Sequence, residues 1–147
     1  MAIVDPFSSE RIVDGKIVLE PYELIPDTIL DDDPTEVESD VFEIPDGDAE
    51  LVFLCKATAT LSPTSVEFQF LISYDGTNFY EIDGQSGFGD WSAITVLLAA
   101  MPYAEAVIKG RMVAPYGKVK AVGAGTDASN KITVNVQITR KPQTLDE

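Results

Sequence analysis

The stretch Ser65–Ile82, SVEFQFLISYDGTNFYEI, constrains the fold more than any other part of the chain. Val66, Phe68, Phe70, Ile72 and Tyr74 recur at every second position, with Glu67, Gln69 and Ser73 between them, and this two-residue period puts the two sets on opposite faces of a strand. Leu71 is the one apolar residue out of phase. Asp75-Gly76-Thr77-Asn78 then supplies the Gly and Asn that tolerate positive φ in a tight reversal, and Phe79, Tyr80 and Ile82 restart a β-favouring run. The pattern predicts a hairpin, with Tyr74 and one of Phe79 or Tyr80 on its core side.

The same reading extends along the chain. Leu51–Leu61 is a strand stopped by Ser62-Pro63-Thr64, Trp91–Met101 is a strand closed by Pro102, and Tyr103–Val113 and Lys118–Gly123 follow. Ile132, Val134, Val136 and Ile138 alternate with Thr133, Asn135, Gln137 and Thr139 in the clearest strand of all. Seven or eight strands between residues 41 and 140, with breakers every eight to twelve residues, predict an all-β protein: an antiparallel, jelly-roll-like β-sandwich. The sandwich is placed at residues 46–141, with a short tail at 142–147. No apolar run reaches membrane-spanning length, and the N-terminus lacks the basic, then apolar, character of a secretory signal.

Charge divides the chain differently. Sixteen of the 25 acidic residues but only two of the ten basic ones, Arg11 and Lys16, lie in residues 1–50, so nearly all of the net charge of −15 belongs to the first third. Such a chain is repelled by nucleic acid and anionic membranes and attracted to basic protein surfaces or divalent cations. Prolines 6, 21, 26, 34 and 45 exclude a long helix, and residues 1–45 read as an extended arm. The arm is studded with apolar residues, among them Ile3, Val4, Phe7, Ile12, Val13, Ile17, Val18, Leu19, Tyr22, Leu24 and Ile25, which seek a surface to bury. Arg11–Leu19 is a small hairpin with Asp14-Gly15 at its turn, and Asp31-Asp32-Asp33 is either a solvated loop or a dock for Lys or Arg.

Candidate chemistry is sparse. Histidine is absent, which removes His-based triads, His-ligated zinc and a histidine general base. Cys55 within LVFLCKA reads as a buried hydrophobe. Asp46-Gly47-Asp48-Ala49-Glu50 does not fit a calcium loop and reads as a turn, and Gly84–Asp90 lacks a phosphate-loop ending. No metal, cofactor or enzymatic role is expected. Tyr74, Phe79, Tyr80 and Trp91 are read mainly as core, and Lys109, Arg111, Lys118 and Lys120 as a basic face that receives an acidic arm, its own or a neighbour's.

The ISYDGTNFYEI hairpin, followed by AVIKGRMVAPYGKVKAVGAGTDASNKITVNVQITR with its small-residue turn and Thr-rich closing strand, resembles the β-sandwich structural proteins of tailed bacteriophages. Decoration or cement proteins of the capsid are the nearest group, over residues 65–140. The resemblance implies a virion protein on the capsid exterior, assembled in the host cytoplasm. It further implies a trimer seated between major capsid protein subunits, with an arm reaching a neighbour, and the character of the acidic residues 1–50 matches that arm. Similar hairpins occur in carbohydrate-binding or adhesive modules of phage tails and fibres, which is the alternative reading.

Overall fold

The computed structural model describes residues 3–7, 10–14, 16–19, 21–81, 94–97, 103–140 and 143–144. In chain order the strands are β1 (Ile3–Val4), β2 (Glu10–Val13), β3 (Lys16–Leu19), β4 (Tyr22–Leu30), β5 (Glu36–Glu38), β6 (Val41–Glu43) and β7 (Ala49–Thr60). They continue as β8 (Ser65–Ser73), β9 (Tyr80–Glu81), β10 (Ile94–Leu97), β11 (Tyr103–Met112), β12 (Tyr116–Ala124), β13 (Lys131–Arg140) and β14 (Gln143–Thr144). One 3-10 turn, Pro45–Gly47, interrupts them. Between residues 41 and 140 lie eight of these strands, β6 to β13, as the breaker spacing predicts. The Gly84–Asp90 turn, Trp91 and the Trp91–Met101 strand apart from Ile94–Leu97 lie outside the described residues.

Two sheets face each other. One is seven-stranded, with β1, β6, β12, β8 and β10 in line, β5 beside β12 and β9 beside β8; the other is β11-β7-β13-β4. Alternation decides what each buries. In β7, Leu51, Phe53, Cys55 and Ala57 point inward, and they meet Val66, Phe68 and Phe70 of β8 and Val119 and Ala121 of β12. Phe53 bridges the layers: its ring centroid lies 5.0 Å from that of Phe70 and 6.0 Å from that of Phe42, both from the opposite sheet and both tilted. The hairpin β8–β9 forms with Ile72 opposite Tyr80, and Gly76 takes φ +80° in its turn. Its strand ends at Ser73, so Tyr74 leaves the ladder and is 65% exposed, as Tyr80 is at 61%; only Phe79 is half-buried.

The boundary at residue 45 does not separate an arm from the sandwich. β4 is the edge of the four-stranded sheet along β13, and β5 and β6 run antiparallel to β12 in the other sheet. Leu24, Ile25, Leu30, Phe42 and Ile44 are fully inside, because a two-layer core of this size needs their apolar area. Tyr22–Leu30 is hard to read as a strand because it is bulged. Val134 pairs with Thr28, Val136 with Ile25 and Gln137 with Glu23, so β4 has extra residues around Pro26 and at Leu24. The bulges put the consecutive Leu24 and Ile25 both inward, and Pro26 is tolerated because β4 is an edge.

The Arg11–Leu19 hairpin is present as β2 and β3, with Val13 opposite Lys16 and Asp14 at φ 50°. A lone hairpin is marginal, and it finds a third strand in β14 from the region expected to be tail.

Gly117 on β12 faces inward beneath Phe42. A Cβ there would stand 2.6 Å from Phe42 Cζ and 2.8 Å from Cε2, so the ring occupies the space that a side chain would need. Gly117→Ala should destabilise the fold by about 1–3 kcal/mol through overpacking, and Phe42→Leu in the same chain should recover part of that loss. Urea denaturation of the two variants checks both; an additive loss in the double variant would mean the ring is not what the glycine accommodates.

Candidate functional site

The acidic segment 36–43 lies along β12, and its fit there follows from one inserted residue. Glu38 pairs with Lys120 and Phe42 with Gly117, and between these two pairs the register shifts by one residue. 

The four steps from Glu38 to Phe42 answer only three from Lys120 to Gly117, which is the signature of a β-bulge. Ser39 resolves it. Its backbone N–H donates to Val119 O at 2.8 Å, and its hydroxyl accepts the Val119 N–H at 3.0 Å while donating to Asp40 O at 2.9 Å. The side chain is buried, so the ladder bond lost at the bulge is replaced where water cannot help.

This placement neutralises much of the expected basic face from within the chain. Lys118 Nζ lies 3.1 Å from Glu38 and 4.3 Å from the centroid of the Phe79 ring, and Lys120 Nζ lies 3.2 Å from Glu36. Lys109 and Arg111 do not join them. They sit on β11 in the other sheet, because Val113–Pro115 carries the chain from one layer to the other. Arg111 makes a two-pronged ion pair with Asp48, and that hydrogen bonding holds the Asp48 carboxyl below its ordinary range. Lys109 is exposed, opposite Val52.

The charge that stays open is mostly acid. Asp31-Asp32-Asp33 forms the turn from β4 to β5, shaped by Asp31 Oδ1 accepting the Asp33 N–H at 2.9 Å and by Thr126 Oγ1 donating to Asp31 O at 2.7 Å. Asp32, Asp33, Asp40, Glu43 and Asp46 are exposed and Asp31 is half-buried, and none of the ion pairs among the described residues uses them. The apolar residues assigned to a partner divide. Phe7, Leu24 and Ile25 are core, Val4 is half-buried, and Ile3 and Tyr22 remain exposed. Ile12, Val13, Ile17, Val18 and Leu19 enter through backbone pairing, their side chains lying outside what is described.

Two loops share one chemistry. Asp75 Oδ1 accepts the N–H groups of Thr77 and Asn78, both at 2.8 Å, and Asp127 Oδ1 accepts those of Ser129 and Asn130 at 2.8 and 2.7 Å. In each, the Asn side chain returns a further bond to the same carboxylate. The Asp-x-x-Asn spacing is visible in the sequence at both places, and these bonds depress both carboxyls. Cys55 is buried and its thiol is pushed up to about 12 by desolvation, which suits a side chain that packs in the core. Among the described residues no group of three or more His, Cys, Asp or Glu is arranged to hold a metal ion.

No protein-family model matches the chain, and no curated protein matches it.

Ser39→Ala should cost about 1–3 kcal/mol, because it leaves the buried Val119 N–H without its acceptor. Lys118→Ala and Lys120→Ala, whose carboxylate partners are partly exposed, should each cost less than about 1 kcal/mol. Chemical denaturation of the three variants should rank them in that order, and equal losses would remove Ser39 from its anchoring place. The depressed Asp75 carboxyl stabilises the folded state above its ordinary value of 3.8 and loses that effect as the pH falls toward its lower folded value. The melting-temperature gap between Asp75→Ala and the parent chain should therefore be constant above about pH 5 and shrink on acidification below about pH 4.

Proposed function

We propose that the protein is a non-enzymatic structural protein of a tailed phage that decorates and stabilises the capsid, binding between major capsid protein subunits and neighbouring copies of itself as a trimer. The observation that carries this reading is the excess of acid left after folding. Lys118, Lys120 and Arg111 are consumed by Glu38, Glu36 and Asp48, while Asp31, Asp32, Asp33, Asp40, Glu43 and Asp46 stay free of ion pairs among the described residues. A rigid two-layer body carrying such an acidic rim is suited to a basic protein surface and unsuited to nucleic acid. Ile3 at 49% and Tyr22 at 37% exposure add apolar contact area near the start of the chain. Symmetric copies on a shell would convert modest single contacts into tight overall attachment.

The test is binding to isolated phage shells that lack decoration. The purified protein should sediment with the shells, raise their resistance to heat, and bind more weakly as salt rises. Replacing Asp31, Asp32, Asp33 and Asp40 by Asn should weaken attachment at least about tenfold with the fold intact. Failure of the parent protein to bind, or equal binding by the neutralised variant, overturns the reading.

A further inference from the structure

The outer face of the four-stranded sheet holds a depression of about 360 Å³ lined by Asp27, Lys56, Thr58, Thr133, Asn135 and Gln137. We propose that it binds a neutral polyhydroxylated ligand, a carbohydrate or a compound presenting the same array of hydroxyls. This proposal does not rest on capsid attachment.

Asn135 is the starting point. It points away from the core yet is only 9% exposed, because the bulged β4 folds Glu23 and Asp27 over it. Its Nδ2 donates to Glu23 Oε2 and to Asp27 Oδ1, each at 3.0 Å. With both amide hydrogens held by carboxylates, the group cannot be turned over, since its oxygen would then face two anions. That leaves Oδ1 as a buried acceptor without any donor. Buried polar groups are nearly always paired, so an orphan at the floor of a depression marks a place where a donor belongs.

The surrounding groups specify what kind of donor. Lys56 stands opposite Asn135 across the β7–β13 ladder, and its ammonium is in none of the ion pairs among the described residues. Gln137, Thr58 and Thr133 both donate and accept. An anion would meet the carboxylates of Glu23 and Asp27, and a cation would meet Lys56. A hydroxyl avoids both penalties: it gives its hydrogen to Asn135 Oδ1 and takes one from Lys56 or Gln137. In the next row of the ladder half-buried Leu54 stands opposite Gln137, and Val107, 62% exposed, stands on the far side of Leu54. This row offers a surface for the C–H side of a sugar ring. The volume falls near the lower end of the roughly 300–1,000 Å³ usual for small-molecule sites.

The probes are glucose, galactose, mannose and N-acetylglucosamine with their trisaccharides, titrated to high millimolar concentration against the full chain and followed by backbone amide resonances. At least one should shift the amides of Lys56, Thr133, Asn135 and Gln137 saturably. Lys56→Ala and Gln137→Ala, both on the solvent face, should weaken that binding about tenfold, with β12 resonances reporting an intact fold. The proposal is overturned if no probe shifts these amides saturably, if the shifts fall elsewhere, such as at Tyr74 and Tyr80, or if both variants bind like the parent.

Discussion

The contact of Phe53 with Phe42 and Phe70 holds the two sheets in one core, and most other features depend on it. Phe53 comes from the four-stranded sheet and its two ring partners from the seven-stranded one. Phe42 belongs to the acidic first third of the chain, so that segment cannot lift away without opening the centre of the molecule. Dispersion and burial of three aromatic rings outweigh the mutual repulsion of the carboxylates around them, which remain in water and are screened there.

The second organising device is the bulge. At Ser39 and Asp40 it lets Glu36 and Glu38 reach Lys120 and Lys118 while Phe42 still turns inward over Gly117. In β4 it turns Leu24 and Ile25 inward together and gathers Glu23 and Asp27 over Asn135. Each bulge breaks the two-residue period of its strand at a place where the surface acquires a distinct chemistry: a neutralised patch in one case, an orphaned acceptor in the other. The neutralised patch lies on the seven-stranded sheet and the polar depression on the four-stranded one, and each arises from the way the first third of the chain is wound onto the rest.

Much of this was legible in the residues. β8, β12 and β13 follow clean alternation, and their inward residues are those the period assigns. Asp75-Gly76-Thr77-Asn78 and Asp14 sit at the turns their types favour. Residues 21–45 read as an arm in the sequence because Pro26, a pair of adjacent apolar residues and short three-residue strands hide the alternation that bulged edges carry. Lys118 and Lys120 do meet acids of the chain's own first third, but Lys109 and Arg111 lie in the other layer, because nearness in sequence between β11 and β12 does not survive the crossing from one sheet to the other. The two-residue period points Tyr74 inward, but the strand ends one residue before it, at Ser73. The adjacent Leu24-Ile25 beside Pro26 was the available signal for the bulge that builds the Asn135 depression.

The sequence by itself determined that this chain is all-β, where its hairpins turn, that Cys55 packs and that the charge is concentrated near its start. All of these follow from local rules: side-chain period, turn stereochemistry, and the count of titratable groups. Only the tertiary structure decided which acids are spent on Lys118, Lys120 and Arg111, which stay free, and that Asn135 keeps an unanswered acceptor. Those outcomes depend on register between strands far apart in the chain, and a single extra residue in one strand changes which side chains meet.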